Sequence, residues 1–369
     1  MKPVDRTFGT DVDYTSPDFG MREALKRNVW KFSVAKNYND SVRLSNLLLR
    51  PDGTLRPWNE FKREAMFVVG ESNRYLKTEY DTIVAGAQMS RLWMEIQRDK
   101  HIFPYVQFDV VMDGRTSDIC SPLDKLIFEV DDPVLAYYFP PNHFNCRTTV
   151  KKLRNGVPSE NYNLPEIPEA FRNNIGESGL IFTDENSYIS NTPKKVLEIG
   201  DHFYQQNKSY EKYRADEDYY DVEINDLGGV KATHKNHNFH HIWGKYEIEA
   251  RDNLFDLGHS IIMESELMGM NIKTPDGILN GKIMDIKTVL GNNGKIGKNS
   301  IIDKIQEANG QGCEIVVLQF PKQSLELYDL VDITSNYNSA VNIMNARKKT
   351  VILKEVWVML DKEIKKFNF

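Results

Sequence analysis

The chain has 369 residues and a formal net charge of −6, from 47 basic and 53 acidic side chains. That length allows two domains or more, and the acidic balance excludes a global basic field for nucleic acid. No apolar run is long enough to cross a bilayer, so no membrane partner is expected. The opening MKPVDRTFGTDVDY lacks the apolar core of a secretion signal. Cys120, Cys146 and Cys313 are too few and too scattered for a disulfide framework, which fits a reducing compartment.

The predicted elements begin with helices to about residue 99. Leu25, Val29, Phe32 and Ala35 recur near helical spacing between 21 and 38. Arg50-Pro51-Asp52-Gly53 marks a turn, and the pattern over 57–97 predicts at least two helices packed as an antiparallel pair. A small mixed region follows over 103–153. It holds a strand at 108–111, a turn at Asp113-Gly114-Arg115-Thr116-Ser117 and a strand at 146–150. Residues 156–193, rich in Pro, Asn, Gly and Ser, read as a connector on which Phe171, Ile181 and Phe182 dock locally. The expected domains are therefore 1–155 and 194–369, joined by 156–193.

From Lys194 onward helix and strand alternate. Helices are predicted at 246–257, stopped by Gly258, at 299–309 and at 336–347. Strands are predicted at 260–263, 315–318 and 350–360. Between the first helix pair, Asn280-Gly281 flanked by apolar residues is a strong signal for a two-residue hairpin. Counting outward from that turn sets Leu279 against Lys282, Ile278 against Ile283, Gly277 against Met284 and Asp276 against Asp285. Alternation puts Lys287 on the face of Asp285. Two opposed carboxylates destabilise a sheet, and a divalent cation with oxygen ligands, Mg²⁺ or Mn²⁺, offsets that repulsion. A solvated hairpin with charged edges is the plainer alternative.

The order helix, strand, hairpin, helix, strand resembles the PD-(D/E)xK nuclease core, with Pro275-Asp276 and Asp285-Ile286-Lys287 as its signature. The resemblance implies an α/β, restriction-endonuclease-like C-terminal domain. It implies Asp276, Asp285 and Glu247 as metal-holding acids, Lys287 beside the attacking water and Gln311 after the second helix. Glu249 is the alternative acid, but Ile248 and Ala250 set the buried side and favour Glu247. Lys282, Lys295, Lys298 and Lys304 are the expected phosphate contacts. Over about 229–321 the segment also resembles the C-terminal tRNA nuclease domains of contact-dependent growth inhibition toxins. The matching residues are Gly244-Lys245-Tyr246-Glu247, Thr274-Pro275-Asp276 and Met284-Asp285-Ile286-Lys287. That likeness implies RNA, most of all tRNA, as substrate in a bacterial cytoplasm, and an immunity protein as partner.

Four of the eight histidines fall within eight positions: His234, His237, His240 and His241. Zinc binding by His234, His237 and His241 on one helical face is one reading. Acid–base work in metal-free RNA cleavage is another. A loop or helix start packed by Phe239 and Trp243 is the plainest.

The first half resembles the phage Mu F-like head morphogenesis (minor head protein) family over roughly 8–185. The carrying residues are Asp113-Gly114-Arg115-Thr116-Ser117, Cys120, Leu123-Asp124, Asp132-Pro133, Pro140-Pro141-Asn142-His143 and Cys146-Arg147. The resemblance implies a mostly helical region with a small α+β module. It also implies phage portal and capsid proteins as partners and a place in the virion or prohead. Cys120, His143 and Cys146 are three candidate zinc ligands. Where the family often has a further cysteine this chain has Thr148, and a hydrogen-bonded core with Arg115 and Arg147 paired to Asp113 or Asp124 is the favoured reading. Together the halves read as a head protein carrying a metal-dependent nuclease. The alternative is a purely structural head protein whose C-terminal domain is inactive or only binds nucleic acid.

Overall fold

The computed structural model describes residues 2–266, 274–291, 295–297 and 299–369. The chain divides into two units, Met1–Asp201 and His202–Phe369. The first is mostly helical with a small sheet, and the second is sheet-rich α/β.

In the first unit α1 (Lys2–Phe8) precedes α2 (Pro17–Asn46) and α3 (Trp58–Asp99). Ser16 caps α2 by accepting the Phe19 N–H at 3.2 Å, and Pro17 fills the first turn, where its missing N–H is not needed. Leu25, Val29, Phe32 and Ala35 are all buried, together with Ala87 of α3. The antiparallel pair expected over 57–97 is instead the single 42-residue helix α3, packed on α2. No proline follows Pro57 in that window, and Gly70 faces open space, so nothing interrupts the hydrogen-bond ladder.

β1 (Tyr105–Asp109), β2 (Ile127–Glu129), α4 (Leu135–Tyr138) and β3 (Thr149–Leu153) follow. The strands pair antiparallel in the order β2-β1-β3. Phe108, Leu123, Phe128, Phe139 and Val150 form a second core with Trp93 and Ile96 of α3. β3 starts later than the predicted 146 because a turn closes first, with Cys146 N–H donating to His143 O and Asn145 at φ 59°.

Residues 156–193 are not a connector. Two short helices, α5 (Ile175–Ser178) and α6 (Ser187–Ser190), place Ile175, Ile181, Phe182 and Ile189 in the α2–α3 core. Buried Asn28 clasps this segment: its Nδ2 donates to Phe182 O at 2.8 Å, and Phe182 N–H donates to its Oδ1 at 2.9 Å. The asparagines that suggested a linker are helix caps, Asn174 for α5 and Asn186 for α6. The unit boundary lies further on, inside α7 (Lys194–Ala215).

The second unit continues with β4 (Tyr219–Ile224), β5 (Val230–His234), α8 (Gly244–Asp256), β6 (Ile261–Met263), β7 (Gly277–Leu279) and β8 (Lys282–Thr288). It ends with α9 (Ser300–Gly310), β9 (Ile315–Phe320), α10 (Ile333–Ala346), β10 (Glu355–Leu360) and β11 (Glu363–Asn368). The eight strands lie in the order β11-β10-β9-β8-β7-β6-β5-β4. β8, β9 and β10 are mutually parallel, as are β5 and β6, and the other neighbours are antiparallel. α8 covers one face, with Ala250 and Leu254 against Met284, Ile286 and Ile315. α9 and α10 cover the other, with Ile301, Ile305, Ala340 and Met344 against Val316 and Leu318. Each fully buried isoleucine contributes about 1.5–3 kcal/mol. The last strand is β11 rather than β10; its exposed Lys365 and Lys366 dilute the apolar alternation that marks the others.

The hairpin register is the one counted from the sequence: Leu279 pairs with Lys282, Ile278 with Ile283, Gly277 with Met284. Asn280 and Gly281 have φ of 50° and 83°, the left-handed pair that a two-residue turn requires. Gly277 is required by its neighbour strand, since a Cβ there would fall 1.9 Å from Ile262 O.

Candidate functional site

Gly277 and Met284 turn toward α8, so the adjacent Asp276 and Asp285 turn toward α9. Their carboxyl groups lie close enough to interact, and Ile286 N–H donates to Asp276 Oδ2 at 2.6 Å. Asp285 is fully buried, with Lys287 Nζ 2.7 Å from its Oδ2. Apart from Lys287 and the Asp276 carboxyl, neither Asp285 oxygen has a hydrogen-bond partner among the described residues. Burial first, then the charges of Asp285 and Glu247, hold the Asp276 carboxyl well above the usual range. Burial pulls the Lys287 amine down, but Asp285 and Asp276 outweigh it and the net shift is upward. The group is thus a close pair of acids with one ammonium beside it.

Glu247 reaches this group from the first turn of α8 on the other face. Its Oε1 lies 2.8 Å from His237 Nε2, while His237 Nδ1 lies 2.9 Å from Glu264 O. Both ring nitrogens therefore face acceptors, which favours the doubly protonated ring. Burial pulls the His237 pKa down, but Glu247 and the Glu264 carbonyl outweigh it, and the net direction is up. Glu266, which the sequence reading passed over, joins the site: burial raises its carboxyl pKa, and the charges of Glu247 and Asp285 add to that. The alternation of Glu264 and Glu266 directly after β6 was the available signal.

Gln311 does not meet the acids directly. Its Nε2 donates to Thr274 O at 2.8 Å, two residues before Asp276. Behind the acids, the Cys313 thiol is pushed up to about 12 by burial and by the charges of Asp285 and Asp276.

The four expected phosphate contacts separate. Lys304 is partly buried close to Lys287 and Glu307, and burial lowers its pKa. Lys295 is exposed, and Lys298 lies outside the described residues. Lys282 sits at the turn end of β8, paired with Glu355. Five residues of strand put it about 16 Å from Lys287, so it is not a contact of this site. The expected helical face of His234, His237 and His241 is absent too. His234 ends β5, and His240 and His241 stack on each other in the following loop at 4.6 Å between centroids.

In the first unit, Cys120 Sγ lies 3.1 Å from His143 Nε2 and 3.6 Å from Cys146 Sγ. Arg147 grips Asp113 through two bonds of 2.6 and 2.7 Å, with Arg115 at 3.9 Å, the paired turn that the sequence favoured. Arg147 holds the Asp113 carboxyl well below its usual range. Cys146 draws the Cys120 thiol down while its own is pushed up, as two sulfurs sharing one proton would be.

That turn and these sulfurs lie in a recognisable segment. Residues 48–151 match the family described as Phage Mu protein F like protein. The match falls inside the 8–185 span expected from the motifs. The chain is also 33% identical over 82 residues to the putative capsid assembly protein F of Escherichia phage Mu. Those residues are 22% of this chain and 19% of that protein, so the chain spans about a fifth of the length of the curated relative it matches. Among solved structures, the CdiA-CT/CdiI toxin and immunity complex from Burkholderia pseudomallei is similar at 16% identity. The likeness covers 34% of this chain and 84% of that one at a TM-score of 0.22, too low to say anything of shared fold or activity.

Proposed function

We propose that this is a phage minor head protein, acting in head morphogenesis beside portal and capsid proteins, that carries a metal-dependent nuclease in its second unit. The first half of the reading is supported by the Mu F-like segment over residues 48–151. The second half is supported by one observation: the paired carboxyls of Asp276 and Asp285, buried beside Lys287, with Asp285 oxygens that have no other donor among the described residues. The order α8, β6, β7–β8 hairpin, α9, β9 is compatible with a restriction-endonuclease-like core.

The donor set fits Mg²⁺ or Mn²⁺, which take carboxylate oxygens and keep several waters. Asp276 and Asp285 would hold it, with Glu247 or Glu266 as the additional acid. When bound, such an ion polarises a phosphoryl oxygen and acidifies water. The Lys287 ammonium has three donors, one directed to Asp285, and the others serve a phosphoryl oxygen or the attacking water. His237 holds Glu247 in place through the 2.8 Å contact of its Nε2 with Oε1. Gln311 fixes the backbone ahead of Asp276. Lys304 supplies positive charge at the rim. The substrate in this reading is RNA, with tRNA foremost, and an immunity protein is the corresponding partner.

The test incubates the purified chain with total bacterial tRNA, with and without Mg²⁺, beside Asp285→Asn and Lys287→Ala. The expected result is loss of intact tRNA only for the unaltered chain with metal. Intact tRNA in every arm, with Mn²⁺ as well, removes the nuclease and leaves a head protein with an inactive domain. Detection of the chain in purified proheads or virions tests the head assignment separately.

A further inference from the structure

We propose that Cys120, His143 and Cys146 form a binding site for one zinc-class ion in the first unit, with the fourth coordination position left to water or another small ligand. The site is independent of the acidic group in the second unit.

The ligand atoms of these three residues all lie within 4.8 Å of one another. For a tetrahedral ion with Zn–S of about 2.3 Å and Zn–N of about 2.0 Å, sulfurs stand about 3.8 Å apart and sulfur from nitrogen about 3.5 Å. The observed 3.6 Å between Cys120 and Cys146 and 3.1 Å between Cys120 and His143 need only about half an ångström of ring movement to match. The histidine is oriented as a ligand. Its Nδ1 lies 2.7 Å from Phe144 O, which fixes that proton and turns the bare Nε2 toward the sulfurs. Ser117 Oγ lies 2.8 Å from the same Nε2 and accepts the Cys120 N–H at 3.1 Å. Beside Cys120, the buried Thr148 hydroxyl is directed to the Cys120 sulfur.

The ligands come from two separate stretches, the turn that follows β1 and the one that leads into β3. An ion would therefore tie the 113–124 excursion to the 140–148 loop. Both cysteines are free thiols, and 3.6 Å is far longer than a sulfur–sulfur bond. Two thiolates and a neutral imidazole favour zinc over Mg²⁺ or Ca²⁺.

The full chain, reduced and freed of metal, is equilibrated with Zn²⁺ and its metal content measured by mass spectrometry, then with Co²⁺ for the thiolate-to-cobalt charge-transfer band. Cys313→Ala controls for the third cysteine. We expect a cobalt–thiolate band kept in Cys313→Ala and falling at least tenfold in Cys120→Ser and Cys146→Ser, with one zinc per chain lost alongside it. Absence of the band from the unaltered chain overturns the site, and so does a band that disappears only with Cys313. A cobalt–thiolate band that survives both serine variants overturns it as well. If the serine variants do not fold, the band in folded Cys313→Ala decides alone.

Discussion

His237 Nε2 lies 2.8 Å from Glu247 Oε1, so the loop after β5 and the first turn of α8 share one partly buried ion pair at the edge of the acidic group. His237→Ala leaves Glu247 free to rotate and removes a charge-assisted bond. The expected cost is about 2–3 kcal/mol of stability in the second unit. Loss of such a supporting contact lowers metal affinity about 10- to 100-fold, read as a higher Mg²⁺ requirement for cleavage. The His237 pKa lies above its ordinary 6.5 in the fold. Its stabilisation is therefore complete below 6.5 and lost as pH rises through the raised value. Urea midpoints across that range should fall for the unaltered chain and change less for His237→Ala.

Asp276 gives a second pH signature with the same sign. Its carboxyl is held above the ordinary 3.8 by burial and by Asp285. The preference for the protonated form stabilises the fold fully below 3.8 and is lost as pH rises through the raised value. A divalent cation offsets the charge that then appears. The rise in melting temperature on adding Mn²⁺ should grow with pH, reaching about 2.7 kcal/mol of stabilisation at a hundredfold excess over Kd. Asp276→Asn should flatten this dependence. A metal shift that is the same at every pH counts against Asp276 as a ligand.

Gly277→Ala tests what holds the acids in register. The added carbon meets Ile262 O at 1.9 Å, a backbone atom of the neighbouring strand that cannot swing aside. The expected cost is at least about 3 kcal/mol, together with loss of cleavage. A folded, active Gly277→Ala would mean that β6 and β7 do not pair as described.

Lys36 and Glu79 offer a test of the first unit. Lys36 Nζ lies 2.5 and 2.8 Å from the Glu79 oxygens, with both side chains about nine-tenths buried. Glu79→Ala strands an ammonium and should cost about 3–5 kcal/mol. The double variant Lys36→Met, Glu79→Leu should recover most of it, as read from the urea midpoint of the first unit.

The hairpin was legible because its information is local: Asn280-Gly281 fixes the turn, the turn fixes the register, and the register brings Asp276, Asp285 and Lys287 to one face. The α2 core was legible for the same reason, since helical spacing alone selects Leu25, Val29, Phe32 and Ala35. What failed depended on distant partners. Asn174 and Asn186 looked like linker residues until the helices they cap met α2 and α3. Lys282 looked like a phosphate contact until β10 brought Glu355 to it. His237 could not be singled out from its three neighbours, because the carbonyl of Glu264 and the side chain of Glu247 choose it only in space.

β8 has three strands on its β9 side and four on its β7 side, so Asp285 and Lys287 sit near the middle of the eight-stranded sheet. Amides at such positions exchange with solvent only when the whole cooperative unit opens. The Asp285 and Lys287 charges therefore belong to the most slowly exchanging part of the second unit. On heating, loss of the acidic group should coincide with global melting of that unit and not precede it.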